Sequence, residues 1–258
     1  MIEQLADLLD LSQSYLLVAF AIFLRVSGAQ IGFPAFGHES IPQRIRLVIA
    51  FAFTLVVMPL AAPNFDPMIR DPNLVISFLI GELVTGVAFG LVLRLFILAL
   101  QTAGTIAAQA TSLSQLFGGT AGEPQPVIGH LLTMGALAFA VMMNLHVALA
   151  QAIIQSYDVL PAGGIPSAAD LRAWGLAGVS KTFALAFTLS APFLLGSVVY
   201  NVALGAINKA MPQLMVAMIG SPAITLGGLA LLSISIPTGI YIWHARLEAF
   251  LSNPFGAW

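Results

Sequence analysis

The sequence predicts an all-α integral membrane protein with about six or seven apolar helical segments, several of them discontinuous. Of the 258 residues, 59% are hydrophobic and only 8% are charged, and the mean hydropathy is +0.97. A soluble domain carries about 25% charged residues, so lipid or equally apolar protein must cover most of this surface. The apolar runs reach the roughly 20 residues that cross a bilayer. The net charge of −2 argues against nucleic-acid binding, which needs a basic face.

Seven apolar stretches follow one another along the chain, and polar, proline-rich segments separate several of them. The stretches cover residues 15–36, 47–62, 74–93, 95–110, 127–154, 176–207 and 214–243. The last two contain Pro192, Pro222 and Pro237. Proline removes a backbone hydrogen bond, so we expect kinked or broken helices at these three positions. No linker divides the sequence, and we therefore expect residues 1–258 to form a single integral membrane domain.

A few charged residues interrupt the apolar stretches and are candidates for function, because a charge at mid-bilayer costs about 2.5–3.5 kcal/mol on insertion scales. Glu82 lies well inside such a stretch, and Arg25 interrupts the first one. Two interpretations of Glu82 stay open. In the functional interpretation, Glu82 pairs with a residue of another helix or faces a pore. In the structural interpretation, it is a hydrogen-bonded group at a helix end near the membrane interface.

Small residues predict close helix packing near Glu82. Gly86 and Gly90 form a GxxxG motif, and such motifs let membrane helices approach backbone to backbone. The contact that they predict lies either within this chain or at an interface with a partner.

The segment of residues 112–126 joins two very apolar stretches and reads SLSQLFGGTAGEPQP. Its glycines make the backbone permissive, and Leu116 and Phe117 are apolar side chains on this flexible arm. The combination suits a loop that fills a cavity and can be displaced. The alternative is a simple surface turn between two helices.

Motifs for catalysis are not found in the sequence. His38 and Glu39 begin like the zinc motif HExxH, but position 42 is proline, and the chain has no cysteine for a thiolate metal site. We expect no enzyme, no cofactor and no metal site. An intramembrane protease stays possible in principle, because serine and histidine from distant helices can meet. A stand-alone secondary transporter is the other alternative, although such transporters usually contain an internal repeat that is not evident here.

The segment from Asn201 to Pro222 resembles the signature of the FliR family. That signature has an asparagine, a glycine, a basic residue, a Pro-Gln pair, an apolar turn and then Gly-x-Pro. In this chain the matching residues are Asn201, Gly205, Lys209, Pro212, Gln213 and Gly220-Ser221-Pro222. Further matching residues occur in the same order along the rest of the chain: Arg25, Pro34, Pro42, Arg46, Gly81-Glu82, Gly86, Gly90, Gln101, Gly104, Gln109, Leu145-His146 and Pro161.

The resemblance implies a core subunit of the flagellar type III protein export gate. Such a subunit packs its helical hairpins into a multi-subunit gate in the bacterial inner membrane, within the flagellar basal body. The implied partners are several copies each of FliP and FliQ, then FlhB and FlhA, unfolded flagellar export substrates and membrane lipid. An SctT-type subunit of a virulence injectisome is an alternative machine for the same family.

The family also implies roles for individual residues. The resemblance assigns a pore plug to the loop formed by Ser114, Gln115, Leu116, Phe117, Gly118, Gly119, Thr120, Ala121 and Gly122. Intramembrane polar or subunit-packing roles are expected for Arg25, Arg46, Glu82, Gly86, Gly90, Gln101, Gln109, Asn201, Gly205, Lys209, Pro212 and Gln213.

Overall fold

The computed structural model describes residues 2–38, 40–111, 127–211 and 216–256, and this part of the chain is mainly helical, without a β-strand. Seven of its helices have 15 residues or more, and a short helix, α3, lies between two 3₁₀ turns. The helices are α1 (Ile2–Gln30), α2 (Gln43–Ala61), α3 (Asp66–Arg70), α4 (Val75–Ala110), α5 (Val127–Met142), α6 (Leu145–Val159), α7 (Ala168–Ala210) and α8 (Val216–Ser252).

Five helical segments in the described residues are long and apolar enough to cross a membrane. A sixth span results if the bent pair formed by α5 and α6 is counted as one. The five segments are Ser12–Gln30, Gln43–Arg70, Pro72–Ala110, Ala168–Ala210 and Leu226–Ser252. The prediction of an all-α membrane protein with about six or seven apolar helical segments is thereby confirmed.

Helix α4 differs from the expectation, because residues 74–93 and 95–110 form one continuous helix of 36 residues. Arg94 separates the two apolar stretches in the sequence. Arginine is nevertheless a good helix former, and the neighbouring Leu93 and Leu95 are as well, so nothing in the backbone chemistry ends the helix there. At 1.5 Å per residue α4 is about 54 Å long, which exceeds the roughly 30 Å hydrocarbon core of a bilayer.

Among the described residues, the helices continue through the three prolines at which kinks or breaks were expected, and an asparagine bends the chain elsewhere. Helix α7 continues through Pro192, and α8 continues through Pro222 and Pro237. The apolar stretch of residues 127–154, which contains no proline, bends by 77° between α5 and α6. Asn144 stands at this bend with φ 61° and ψ 37°, the left-handed conformation that asparagine tolerates better than most residues.

The chain divides into two compact units. The first combines Met1–Leu95, Val141–Gly178 and Leu247–Trp258, as far as these are described. Its core side chains, among them Ile22, Phe33 and Phe65, are completely buried. The indole N–H of Trp174 donates to the carbonyl oxygen of Pro254 at 3.0 Å, which ties the start of α7 to the segment after α8.

The second unit combines the described parts of Phe96–Ala140 and Val179–Arg246. Trp243 of α8 is fully buried, and its indole N–H donates to the carbonyl oxygen of Phe96 at 2.9 Å. Helices α4 and α5 approach closely at two glycines, since a Cβ atom on Gly104 would lie 2.1 Å from the Cα atom of Gly129. The expectation that residues 1–258 form a single membrane domain stays a prediction, because the structure does not test it.

Candidate functional site: a buried charged cluster

Arg25 of α1 and Glu82 of α4 form an ion pair inside the first unit. Their side chains are 2% and 0% exposed. The Nη2 group of Arg25 donates to Glu82 Oε1 at 2.9 Å, and its Nε atom lies 2.7 Å from Oε2. The Nε–H bond is not aligned for a hydrogen bond, so this second contact is ionic. Two close contacts hold the guanidinium and the carboxylate together, which is the arrangement that arginine favours with carboxylates.

The remaining donors of Arg25 bind helix α6 and the residue that follows it. Nη1 donates to Ser156 Oγ at 3.0 Å, and Nη2 also donates to the carbonyl oxygen of Leu160 at 3.0 Å. The Cζ atom of Arg25 lies 3.7 Å from the centroid of the Tyr157 ring, which is a cation–π contact. The guanidinium is therefore surrounded by acceptors and an aromatic face.

Glu82 receives two further hydrogen bonds. The hydroxyl of Tyr157 donates to Oε2 at 2.8 Å, and the backbone N–H of Gly163 donates to Oε1 at 3.1 Å. A buried charge is tolerated when it is paired and its lone pairs are satisfied, and both conditions hold for this carboxylate. We name Arg25, Glu82, Ser156, Tyr157 and Gly163 the charged clasp, because they join α1, α4, α6 and the segment before α7.

Glycines bring α1 and α4 close enough for the charged clasp. A Cβ atom on Gly86 would lie 2.2 Å from the carbonyl oxygen of Arg25, and one on Gly90 would lie 2.6 Å from that of Ala29. The approach is reciprocal, since a Cβ atom on Gly28 would lie 2.9 Å from the backbone nitrogen of Val87. The contact predicted for the GxxxG motif is therefore made within this chain, backbone against backbone.

Gly163 is required by its conformation as well as by its surroundings. Its φ is +73°, a region that favours glycine, and a Cβ atom there would lie 2.6 Å from the ring of Phe78. This backbone turn points the Gly163 N–H at Glu82.

The contacts of the charged clasp indicate a structural role rather than a binding site. Each of its charged groups already contacts protein partners, and α1, α4 and α6 surround it. Among the described residues no group of three or more His, Cys, Asp or Glu side chains could hold a metal ion. The arrangement suits a rigid contact between helices, in which the ion pair and the hydrogen bonds favour one packing arrangement over others.

Arg46 stabilises the connection between α1 and α2. Its Nε donates to the carbonyl oxygen of Ile41 and its Nη2 to that of His38, both at 3.0 Å. The side chain of Gln30 in turn donates to the carbonyl oxygen of Arg46 at 2.9 Å. Carbonyl groups in this turn thus have partners, which explains why a basic residue is suited to the start of α2.

The other candidates in the described residues lie in the second unit. Gln101 and Gln109 are exposed on α4. Asn201 is exposed on α7, where its Nδ2 donates to the carbonyl oxygen of Ser197 at 2.8 Å. Gly205 has nothing within 4 Å of a Cβ position, and Lys209 is exposed in the last turn of α7. Pro212, Gln213 and the loop Ser114–Gly122 lie outside the described residues.

Sequence reasoning missed part of the charged clasp and of the helix contact. Tyr157 and Gly163 lie 75 and 81 residues from Glu82, and their sequence neighbourhood gives no signal of this pairing. Gly28 and Gly32, by contrast, form a second GxxxG motif at the end of α1 and in the turn after it, and this motif could have identified the partner of Gly86 and Gly90.

The family model described as bacterial export proteins, family 1, matches residues 16–250. A protein of Caulobacter vibrioides named flagellar biosynthetic protein FliR is 30% identical over 236 residues, which cover 91% of this chain and 94% of the relative. Proteins of the same name are 28% identical in Bacillus subtilis, over 84% of this chain and 83% of the relative, and 27% identical in Escherichia coli, over 87% and 86%.

These matches confirm the resemblance drawn from the sequence, and they extend over most of the chain rather than one motif. Each of the three relatives carries a flagellar name. The match includes α2 to α7 entirely and most of α1 and α8. The chain is therefore a multi-pass membrane component of the flagellar export apparatus and belongs to the FliR family of bacterial export proteins.

Proposed function

We propose that this protein is a core, non-enzymatic subunit of the flagellar type III export gate, located in the inner membrane within the basal body. It forms the export conduit together with several copies each of FliP and FliQ, and it works beside FlhB and FlhA. Unfolded flagellar proteins are the cargo. The observation that carries the proposal is the family match over residues 16–250.

The exposure of the membrane spans supports an assembly of several chains. In the most apolar windows of Gln43–Arg70 and Leu226–Ser252, only 22% and 17% of the residues are buried within this chain. Large aliphatic side chains such as Leu55, Val202 and Ile234 are at least 69% exposed. Lipid or sister subunits must cover these side chains, because contiguous apolar surface of this extent is not stable in water.

The charged clasp supports a structural role for this chain in the wall of the conduit rather than a catalytic role. It fixes α1, α4 and α6 to one another through an ion pair, a cation–π contact and hydrogen bonds. The helices that line a gate for unfolded chains must keep their relative positions while cargo passes. A buried charged joint stabilises one arrangement against slippage, since each alternative packing would leave a charge unpaired.

The proposal assigns the pore plug to Ser114–Gly122. Leu116 and Phe117 would seal a narrow conduit by excluding water and ions, and Gly118 and Gly119 would let the segment fold aside. Deleting Leu116–Gly119 should make the membrane leak ions when the gate is expressed. A four-residue deletion outside the loop that leaves assembly intact is not expected to do so. Unchanged conductance and growth in cells that still assemble the gate would refute the plug.

Gene deletion and complementation test the proposed function. Without this chain, flagellar substrates should no longer reach the culture medium, and cells should lose motility. The wild-type chain supplied from a plasmid should restore both. An uninterrupted export of hook and filament proteins in the deletion strain would contradict the proposal. The Arg25→Met variant supplied from the same plasmid should complement poorly, because it breaks the ion pair of the charged clasp while the other export genes stay intact.

A further inference from the structure

One face of helix α4 changes its chemistry along the helix. Up to residue 91 this face presents aliphatic side chains, and Leu83 and Leu91 are 43% and 54% exposed. The exposed Arg94 and Leu98 follow on the same face. In the second half it presents Gln101 and Gln109, both exposed. Eighteen residues separate Leu83 from Gln101, and eighteen separate Leu91 from Gln109. Since eighteen residues make about five turns of an α-helix, positions 83 and 101 have the same phase in the helical repeat, and so do positions 91 and 109.

The polar half of this face is a continuous stripe. Gln101, Thr105 and Gln109 are spaced four residues apart, which places them on one side of the helix. The opposite side of the same turns is apolar and completely buried, as Ala99, Leu100 and Ala103 show. The hydroxyl of Thr105 donates back to the carbonyl oxygen of Gln101 at 2.9 Å. Within the described residues, the two carboxamides have no protein partner.

We propose that Gln101, Thr105 and Gln109, the amide stripe, line the water-filled conduit and contact the unfolded polypeptide during export. The inference rests on the proposed function and specifies which surface of this chain meets the cargo. Lipid is a poor environment for two unpartnered carboxamides, because their donors and acceptors would lose hydrogen bonds to water. The length of α4 also exceeds the bilayer core, so its second half does not have to contact lipid.

The chemistry of the amide stripe fits an extended polypeptide of any sequence. A carboxamide carries the same acceptor and N–H donors as a peptide group, so it exchanges hydrogen bonds with any unfolded backbone. It carries no charge, and therefore does not hold acidic or basic cargo segments in place. Passage through a conduit requires contacts weak enough to be released, and neutral amides meet this requirement better than charged side chains.

The experiment uses the absence of cysteine from the chain. Gln101→Cys and Gln109→Cys are made in the tagged full-length protein. Leu83→Cys and Leu91→Cys are the matched controls, because each lies eighteen residues earlier at the same phase of the helical repeat of α4. Membranes are isolated from cells without cargo and from cells that hold an export substrate stalled by fusion to a domain that does not unfold, and they are opened so that a membrane-impermeant maleimide reaches both sides of the proposed plug. The tagged chain is then purified and its labelling is measured.

Labelling at positions 101 and 109 should be about tenfold faster than at 83 and 91, because maleimides react with the thiolate in water. The stalled substrate should slow labelling at 101 and 109 severalfold. Labelling that the substrate does not alter would overturn the inference, since these positions would then face open water outside the conduit. Protection already present without cargo would also overturn it and would assign the stripe to a sister subunit or to lipid.

The same cells separate this inference from the proposed function. Variants that still export flagellar proteins and co-purify with the gate, yet show no substrate-dependent protection, refute the amide stripe alone. If the wild-type chain neither co-purifies with other export proteins nor supports export, then the proposed function itself is wrong, and the stripe with it.

Discussion

Four glycines where α1 meets α4 have surroundings opposite to those of one glycine of α7 and one of α8. These four glycines each have the backbone of the opposite segment within 3 Å of a Cβ position: Gly28 on α1, Gly32 just after it, and Gly86 and Gly90 on α4. Gly205 of α7 and Gly227 of α8 have nothing within 4 Å. The first group already serves close packing inside this chain, whereas the second leaves room for an approach that this chain alone does not make.

The polar groups follow the same contrast. The charged clasp satisfies the buried Arg25 and Glu82 within the first unit. The last turns of α7 instead expose Asn201 and Lys209 beside aliphatic side chains such as Val202. One region therefore carries its own stabilising contacts, whereas the other depends on lipid or on partner subunits.

The largest effect is expected when the charged clasp loses one partner. Arg25→Met leaves Glu82 buried with its charge unpaired, which destabilises a folded protein by about 3–5 kcal/mol. The thermal unfolding temperature of the protein in detergent should fall sharply. The double variant Arg25→Met/Glu82→Leu removes both charges and should regain much of the loss. A double variant as unstable as the single one would contradict the assignment of an ion pair.

Gly86→Ala should have the next largest effect. The added Cβ atom would meet the carbonyl oxygen of Arg25, and overpacking of this kind costs up to about 3 kcal/mol. Gly175→Ala is the matched control, because Gly175 lies in α7 with nothing near its Cβ position. The control should keep or slightly raise the unfolding temperature, since alanine favours helices by up to about 1 kcal/mol over glycine. Equal behaviour of the two variants would refute backbone contact between α1 and α4.

Tyr157→Phe should have a smaller effect. The ring stays over Arg25, but Glu82 loses the hydrogen bond from the hydroxyl. A hydrogen bond to a charged group contributes about 1.5–3 kcal/mol, and we expect the lower end because Gly163 and Arg25 still contact the carboxylate. The denaturant or thermal midpoint measures this loss. In the Arg25→Met/Glu82→Leu background the same substitution should have almost no effect, and a full loss there would contradict the assignment.

Gly205→Leu should leave the isolated protein almost unchanged, because its surroundings are open. In cells, the added side chain should reduce recovery of partner subunits with the tagged protein if α7 is covered in the gate. Thermal unfolding of the purified chain and the yield of co-purified subunits give the two measurements. A chain that unfolds earlier yet binds partners normally would place Gly205 in an internal contact instead.

Composition and periodicity were enough to predict the helices, because long apolar stretches form helices regardless of what they later contact. They also identified Arg25 and Glu82, since charges are rare in such stretches. The partners of those charges were not predictable. Tyr157 and Gly163 reach Glu82 only through the tertiary packing of α6 and the segment after it.

The position of the helix break was also beyond sequence reasoning. Local rules place breaks at prolines, and yet α7 and α8 continue through theirs. The proline rule describes one lost hydrogen bond, which neighbouring helices compensate for in a membrane protein. Asn144 bends the chain instead, because a single left-handed residue changes the helix direction without a proline.

Native mass spectrometry of the tagged chain, purified from the membranes of its own host, shows which proteins it assembles with. We expect an assembly that contains this chain with proteins of the FliP and FliQ families. The chain recovered alone as a monomer or a small homo-oligomer, correctly folded and transporting solutes in vesicles, would contradict it.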